Sequence, residues 1–510
     1  MKTQEDYLFW RLAHYFITKQ EYRLIQLSKD ENELWLEKIE NKQAQVIRLL
    51  KYNLDWSNWL QRDIELTSQN GERIRKQLTR RELNILNLYI TAFLPVDDYK
   101  FRIAQPFLNP NQNKTIIHSK LLDRQSYDEW IVSLEDLFDE PILIAKREEY
   151  LDEEIEQLKQ SALNSAVNQI KREKSLFEYG KPFFTYIFII LQVAFFGLLE
   201  LNGGSTNTST LIKFGAKFNP LILEGEWWRF FTPVVLHIGI LHLLMNTLAL
   251  YYLGTVVERI YGNSRFLFIY LLAGFSGSLA SFLFSPSLSA GASGAIFGCF
   301  GALLFFGLIY PKLFFRTMGF NILVVLAINL SLGFTIPGID NAGHIGGLIG
   351  GFLATGIVHF PKKRKLLLQG LFLGLTALGV VGLLQYGYAS AVVDEKSVLI
   401  MAQQYNELEE YEKGYSLLYA YTKENQDSAE VYFLLSYTEI KLEKLEDARA
   451  HLQKVIELNP DFHEAHYNLA LVYLNENQLD LAKEHATKAL DLRPNQNEYK
   501  ELVGKINGQL

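Results

Sequence analysis

Seven apolar segments fill the middle of this chain, at about 182–201, 236–257, 266–284, 292–310, 319–336, 342–360 and 366–388. Each approaches the ~20 residues that an α-helix needs to cross a bilayer. No charged residue occurs from Phe266 to Tyr310. Backbone polar groups must be satisfied internally in hydrocarbon, so such segments are expected to be spanning helices. The flanking charges give an orientation. Lys171, Arg172, Lys174 and Lys181 precede the first segment, and Arg259 and Arg265 lie between the second and third. Lys312 and Arg316 separate the fourth and fifth, and Lys362, Lys363, Arg364 and Lys365 the sixth and seventh. The alternate loops are poor in Lys and Arg, with Lys213, Lys217 and Arg229 confined to one long loop. The positive-inside rule then puts the N-terminal region in the cytoplasm and, after seven crossings, the C-terminal region outside.

At 510 residues the chain has room for roughly three domains of ~100–200 residues. The expected division is 1–180, a soluble α/β region; 181–390, the membrane domain, with a core of 182–360 and an extra span at 366–388; and 391–510, a soluble helical region. The net charge of −7 is spread over the soluble ends and offers no basic face for nucleic acid. A single cysteine, Cys299, excludes an intrachain disulfide and a Cys-based zinc site. Met1–Asp30 contains scattered acids and no apolar run of signal-peptide type.

In the N-terminal region, Tyr7, Leu8, Leu12, Tyr15 and Phe16 recur at helical spacing. Tyr22–Leu27, Leu34–Ile39 and Gln45–Leu50 read as strands, Trp56 to Lys76 as an amphipathic helix and Leu83–Phe93 as a buried strand. Ile144 to Lys174 reads as a long charged helix leading toward the membrane. Glu135, Asp136, Asp139 and Glu140, with His118 nearby, are read as solvated charge rather than a metal site. No catalytic motif is evident here, and a regulatory role is left open.

Polar residues inside a bilayer are costly and mark function. Ser293 stands in Gly291-Ala292-Ser293-Gly294 at the start of the fourth segment, and His344 in Asn341-Ala342-Gly343-His344 at the start of the sixth. A serine hydroxyl is a poor nucleophile until a base takes its proton, and histidine is the usual base. His242 and Asn246, four residues apart, share a helix face in the second segment and are candidate donors to an oxyanion, as is the Ser293 amide at a helix start. His237 points elsewhere and is read as a structural hydrogen-bonding partner. Gly347 and Gly351 are read as packing positions. Asp340, four before His344, is read as a solvated loop-end acid rather than a third catalytic member.

Together these residues resemble the rhomboid intramembrane serine proteases. The resemblance rests on His242-x-x-x-Asn246, Gly291-Ala292-Ser293-Gly294 and His344-x-x-Gly347-x-x-x-Gly351. It also rests on Trp228-Arg229, on His237 eight residues later, and on Gly254-x-x-x-Glu258-x-x-x-Gly262. It spans about residues 182–360 and implies a six-helix core with a Ser293–His344 dyad, without an acid. It assigns oxyanion support to His242, Asn246 and the Ser293 amide, and a structural role to Trp228 and Arg229. Its substrates would be membrane proteins cut near the outer end of a transmembrane helix, with no metal or other cofactor. The family often has tyrosine four residues after the nucleophile, where this chain has Phe297.

Beyond residue 390 the chain repeats with a period of 34: Ala402, Ser436 and Ala470 align, as do Gly414, Ala448 and Ala482, with Pro460 and Pro494 closing units. This resembles tetratricopeptide repeats, which stack paired helices and bind proteins in a concave groove. The expected fold is thus a multi-domain membrane protein: a rhomboid bundle of six core helices plus one, an N-terminal α/β domain and a C-terminal all-α repeat solenoid. The expected activity is intramembrane serine proteolysis, with the repeats recruiting substrates or partners. The alternatives are a catalytically silent membrane adaptor that captures clients and, with less support, a transporter.

Overall fold

Opposite the seven-segment pattern, the first 177 residues alternate short strands with helices. In this computed structural model they form one of two compact units, Met1–Phe177 and Glu178–Leu510. The structure describes residues 3–78, 82–109, 112–123, 126–142, 144, 147, 150–361, 365–390 and 393–509. Lys362, Lys363 and Arg364, used above for orientation, lie outside the described residues, as does part of the stretch before 150.

Helix α1 (Gln4–Thr18) begins in a capping box between Thr3 and Asp6, which satisfies amides that have no intrahelical acceptor. Strands β1 (Arg23–Leu27), β2 (Glu33–Glu37) and β3 (Val46–Lys51) form an antiparallel meander. Helix α2 (Ser57–Leu78) returns the chain so that β4 (Leu83–Ile90) pairs parallel to β3. After β5 (Phe107–Asn109), β6 (Gln112–Leu122) pairs parallel to β4, giving the order β1-β2-β3-β4-β6-β5. Helices α3 (Tyr127–Phe138) and α4 (Asp152–Phe177) follow. One sheet face buries Leu36, Ile47, Leu86 and Leu88 against Phe9, Phe16, Trp130 and Ala162. Helix α4 starts at Asp152, later than the charge pattern suggests, with three acids in its first turn. Acids there complement the helix dipole.

The expected acid cluster is also explained locally. Glu135 accepts from the Ile142 amide at 2.7 Å, and Glu140 from Gln20 Nε2 at 3.2 Å. Among the described residues no group of three or more His, Cys, Asp or Glu is arranged to hold a metal.

The second unit contains α5 (Phe184–Leu201), α6 (Ile240–Tyr261, with a π-turn at Leu250–Gly254), α7 (Asn263–Phe284) and α8 (Ser293–Ile309). It continues with α9 (Gly319–Thr335), α10 (Asn341–Val358) and α11 (Leu366–Ser390). Five of these are long and apolar enough to cross a membrane. A sixth span arises if Pro311–Thr317 and α9, bent by 74°, are counted together, and α8 is a shorter apolar helix of 17 residues. The protein is a multi-pass membrane protein. At the basic end of the bundle, the buried Glu258 carboxylate accepts from the Phe184 and Thr185 amides at 2.8 and 2.9 Å and from the Thr185 hydroxyl at 2.7 Å. It thereby caps α5 with a charge placed where the dipole is positive.

The C-terminal helices are α12 (Glu395–Glu407), α13 (Tyr411–Glu424), α14 (Ala429–Lys441), α15 (Leu445–Leu458), α16 (His463–Asn475), α17 (Leu479–Leu492) and α18 (Asn497–Gln509). Ala402, Ser436, Ala470, Ala448 and Ala482 are fully buried at the helix crossings. Glu409, Glu443 and Asn477 take left-handed φ values of 59°, 59° and 57° at equivalent turns, so the 34-residue period extends to the backbone.

Candidate active site

Ser293 is the first residue of α8 and His344 lies in the first turn of α10. What aligns these two helix starts is a run of glycines. A Cβ at Gly347 would collide with the Gly294 carbonyl, one at Gly351 with Gly298, and one at Gly301 with the Leu348 carbonyl. The backbones of α8 and α10 therefore touch along three turns. Close crossings of this kind replace hydrophobic burial as the source of helix association in lipid, where the solvent is itself apolar. On the third side, a Cβ at Gly277 of α7 would lie 2.8 Å from the Gly343 carbonyl and 3.2 Å from Gly294 Cα.

The His344 ring stacks on Phe297, with centroids 4.2 Å apart and planes 9° apart. One turn of α8 separates Phe297 from Ser293, so the stack holds the imidazole beside the serine's own helix. Among the described residues, the buried His344 Nδ1 has no hydrogen-bond partner. Asp340 does not serve it. Its carboxylate accepts from the Gly343 amide at 2.9 Å as the N-cap of α10, a capping role where the sequence suggested a solvated acid.

Two histidines line the approach to Ser293. His237 is fully buried, and its Nε2 accepts from the Ala292 amide at 3.4 Å, a structural bond to the residue before the serine. The His242 ring lies edge-on to His237 at 5.3 Å. Gly291 passes directly over His242, since a Cβ there would sit 2.7 Å from Cε1. Any larger residue would push the loop off that ring. Asn246 is buried and donates from Nδ2 to the His242 carbonyl at 3.1 Å, which leaves its second amide hydrogen available. The first amides of α8 have no intrahelical acceptor, and the helix dipole adds positive potential there. Ser293, His242 and His344 are each only partly buried.

Arg229 holds the long loop between α5 and α6. The Arg229 guanidinium donates to the Ile212 and Ala216 carbonyls at 2.8 and 2.9 Å and to Glu226 at 2.5 Å. Trp228 is largely exposed, next to Trp227.

Residues 224–361 match the rhomboid domain family and residues 439–506 the tetratricopeptide repeat family. The chain belongs to the rhomboid family of membrane-embedded serine proteases. It is 41% identical to the Rhomboid protease GluP of Bacillus subtilis (strain 168) over 459 residues, 88% of each chain. It is also 35% identical over 150 residues to the Putative rhomboid protease YdcA of the same organism, covering 29% of this chain and 75% of that one. A match to RHOMBOID-like protein 7 of Arabidopsis thaliana is 41% identical over 152 residues, 29% of this chain and 48% of that one.

Proposed function

We propose that the protein hydrolyses peptide bonds of transmembrane substrates with a two-residue Ser293–His344 machinery. The observation that carries this reading is the pairing of the glycine-crossed α8 and α10 with a His344 whose Nδ1 has no hydrogen-bond partner among the described residues. A triad would need an acid at that nitrogen, and the nearest candidate, Asp340, is committed to capping.

In the proposed reaction His344 removes the Ser293 hydroxyl proton as Oγ attacks the scissile carbonyl carbon. General-base assistance of this kind is worth about 10²–10⁴-fold. The tetrahedral oxyanion accepts hydrogen bonds from the Ser293 amide, the His242 ring and the free hydrogen of Asn246. Each such donor contributes on the order of 10²–10³ in rate. His344 then protonates the departing amine, leaving an acyl-serine. Water, deprotonated by the same imidazole, hydrolyses that ester and returns the serine. Phe297 keeps the imidazole oriented through both transfers, by stacking alone.

We further propose the three-part division 1–180, 181–390 and 391–510, with 1–180 cytoplasmic and regulatory. The repeat domain then lies outside, where it engages substrates or partner proteins. The test of the chemistry is cleavage of a single-span substrate in proteoliposomes by wild type, Ser293→Ala and His344→Ala. Cleavage near the outer end of the span by wild type only supports the reading. Equal cleavage by all three removes it.

A further inference from the structure

Lys217 is a fully buried lysine in the long loop between α5 and α6. Its ammonium donates to the Ser285 and Ser287 carbonyls at 2.5 and 2.9 Å. Its backbone pairs with Ser289, amide to carbonyl in both directions, at 2.8 and 3.0 Å. One residue thus makes four hydrogen bonds to the short segment between the end of α7 and Ser293. The same segment is fixed further on, where the Gly291 amide donates to the Pro233 carbonyl at 3.0 Å and the Ala292 amide to His237. Burial lowers the Lys217 pKa to about 8, against the opposing charges of Asp340 and Asp394.

Burying a lysine is expensive unless its donors are used, and here they are used on main-chain carbonyls rather than on a carboxylate. The cost is offset only while the segment keeps its shape, so the pairing selects that shape. Outside the clasp sits the first repeat helix. Met401 and Tyr405 of α12 are buried in one cluster with Ile212 and Phe218, and Leu288 of the serine segment packs against it. The Tyr405 hydroxyl donates to Glu224.

We propose that Lys217 is a positioning residue for the reaction: it holds the segment that delivers Ser293, and α12, seated on the other side through Met401 and Tyr405, sets how firmly that segment is held. The repeat domain is thereby coupled to the serine through one layer of side chains, so occupancy of the repeats is transmitted to turnover. The inference rests on Ser293 being the nucleophile.

The experiment compares full-length wild type, Lys217→Met, Lys217→Arg, the exposed-loop control Lys213→Met and Ser293→Ala in proteoliposomes containing a single-span substrate. Lys217→Met is expected to lower kcat by about tenfold or more, the scale of a small misplacement of a reacting group. KM is expected to stay within about twofold, because substrate contacts are unchanged. Lys217→Arg, which keeps donors at that reach, is expected to recover part of kcat, and Lys213→Met to match wild type. A folded Lys217→Met enzyme with wild-type kcat overturns the inference alone. A Ser293→Ala enzyme that still cleaves overturns the nucleophile assignment as well. Should Lys217→Met fail to fold, the double variant Met401→Ala, Tyr405→Phe decides. Faster deuterium exchange in 212–224 with a several-fold lower kcat supports the coupling, and faster exchange with unchanged kcat removes it.

Discussion

Phe297 lies face to face with His344, ring centroids 4.2 Å apart and planes nearly parallel at 9°. The contact joins the helix carrying Ser293 to the helix carrying His344, the proposed base, and it is made by a residue with no hydrogen-bonding group. Aromatic pairs of this kind are worth about 0.5–1.5 kcal/mol beyond their buried area. Phe297→Ala is therefore expected to lower kcat about two- to tenfold, while Phe297→Tyr, which keeps the ring, stays near wild type. Steady-state cleavage in proteoliposomes checks this. A Phe297→Ala enzyme with unchanged kcat means that the stack does not orient the base.

The crossing of α8 and α10 has no room at Gly347, whose added Cβ would meet the Gly294 carbonyl. Gly347→Val is expected to separate the helices, lowering the thermal midpoint in detergent and abolishing cleavage, since overpacking costs about 1–3 kcal/mol or more. Gly379 of α11 faces open space, so Gly379→Ala serves as the control and is expected to leave both unchanged. Similar loss in the two variants would mean that the crossing is not the sensitive element.

Glu258 caps α5 with three hydrogen bonds from a buried position. Removing its carboxylate strands the buried Thr185 amide and the part-buried Phe184 amide, at a cost of about 1–3 kcal/mol for a buried unsatisfied group. Glu258→Leu is expected to lower the detergent melting temperature by several degrees, and Glu258→Gln, which keeps an acceptor, by less. An unshifted Glu258→Leu melt would contradict the capping account.

In the repeat domain His466 Nδ1 and His485 Nδ1 are 3.0 Å apart. Burial first, and for His485 the neighbouring His466 next, hold both below the ordinary histidine value of 6.5. The folded form thus binds protons less readily than the unfolded chain. Its stability is complete above about pH 6.5 and declines as the pH falls below that value. Protection factors of α16 and α17 in the full-length protein, with exchange corrected for the intrinsic rate at each pH, are expected to be lower at pH 5.5 than at pH 7.5, and His485→Asn is expected to shrink the difference. Equal protection factors at both pH values would remove the linkage.

Much of this was legible in the amino-acid sequence because the relevant patterns are local. The apolar segments and the 34-residue repeat show in composition and period along the chain, and the Ser293 and His344 motifs each lie within a few residues. The N-terminal strands up to β4 are apolar runs, whereas β6 opens with Gln112-Asn113-Lys114-Thr115 and carried no such signal. Asp340 was read as solvated because a cap depends on where a helix starts, which the glycine-rich stretch after it does not mark. Lys217 gave no warning at all. In sequence it is one of three basic residues in a long loop, and its acceptors Ser285 and Ser287 are 68 and 70 positions away. Seating of Met401 and Tyr405 on that loop was equally hidden, because both positions also suit the interior of a repeat helix.

The most direct measurement is covalent labelling of the full-length protein in membranes with a serine-reactive fluorophosphonate, followed by peptide mass spectrometry. The account predicts one adduct, on Ser293, strongly diminished in His344→Ala and absent in Ser293→Ala. Labelling at another serine with cleavage lost in parallel, or undiminished labelling of Ser293 in a folded His344→Ala protein, would contradict the proposed pairing of nucleophile and base.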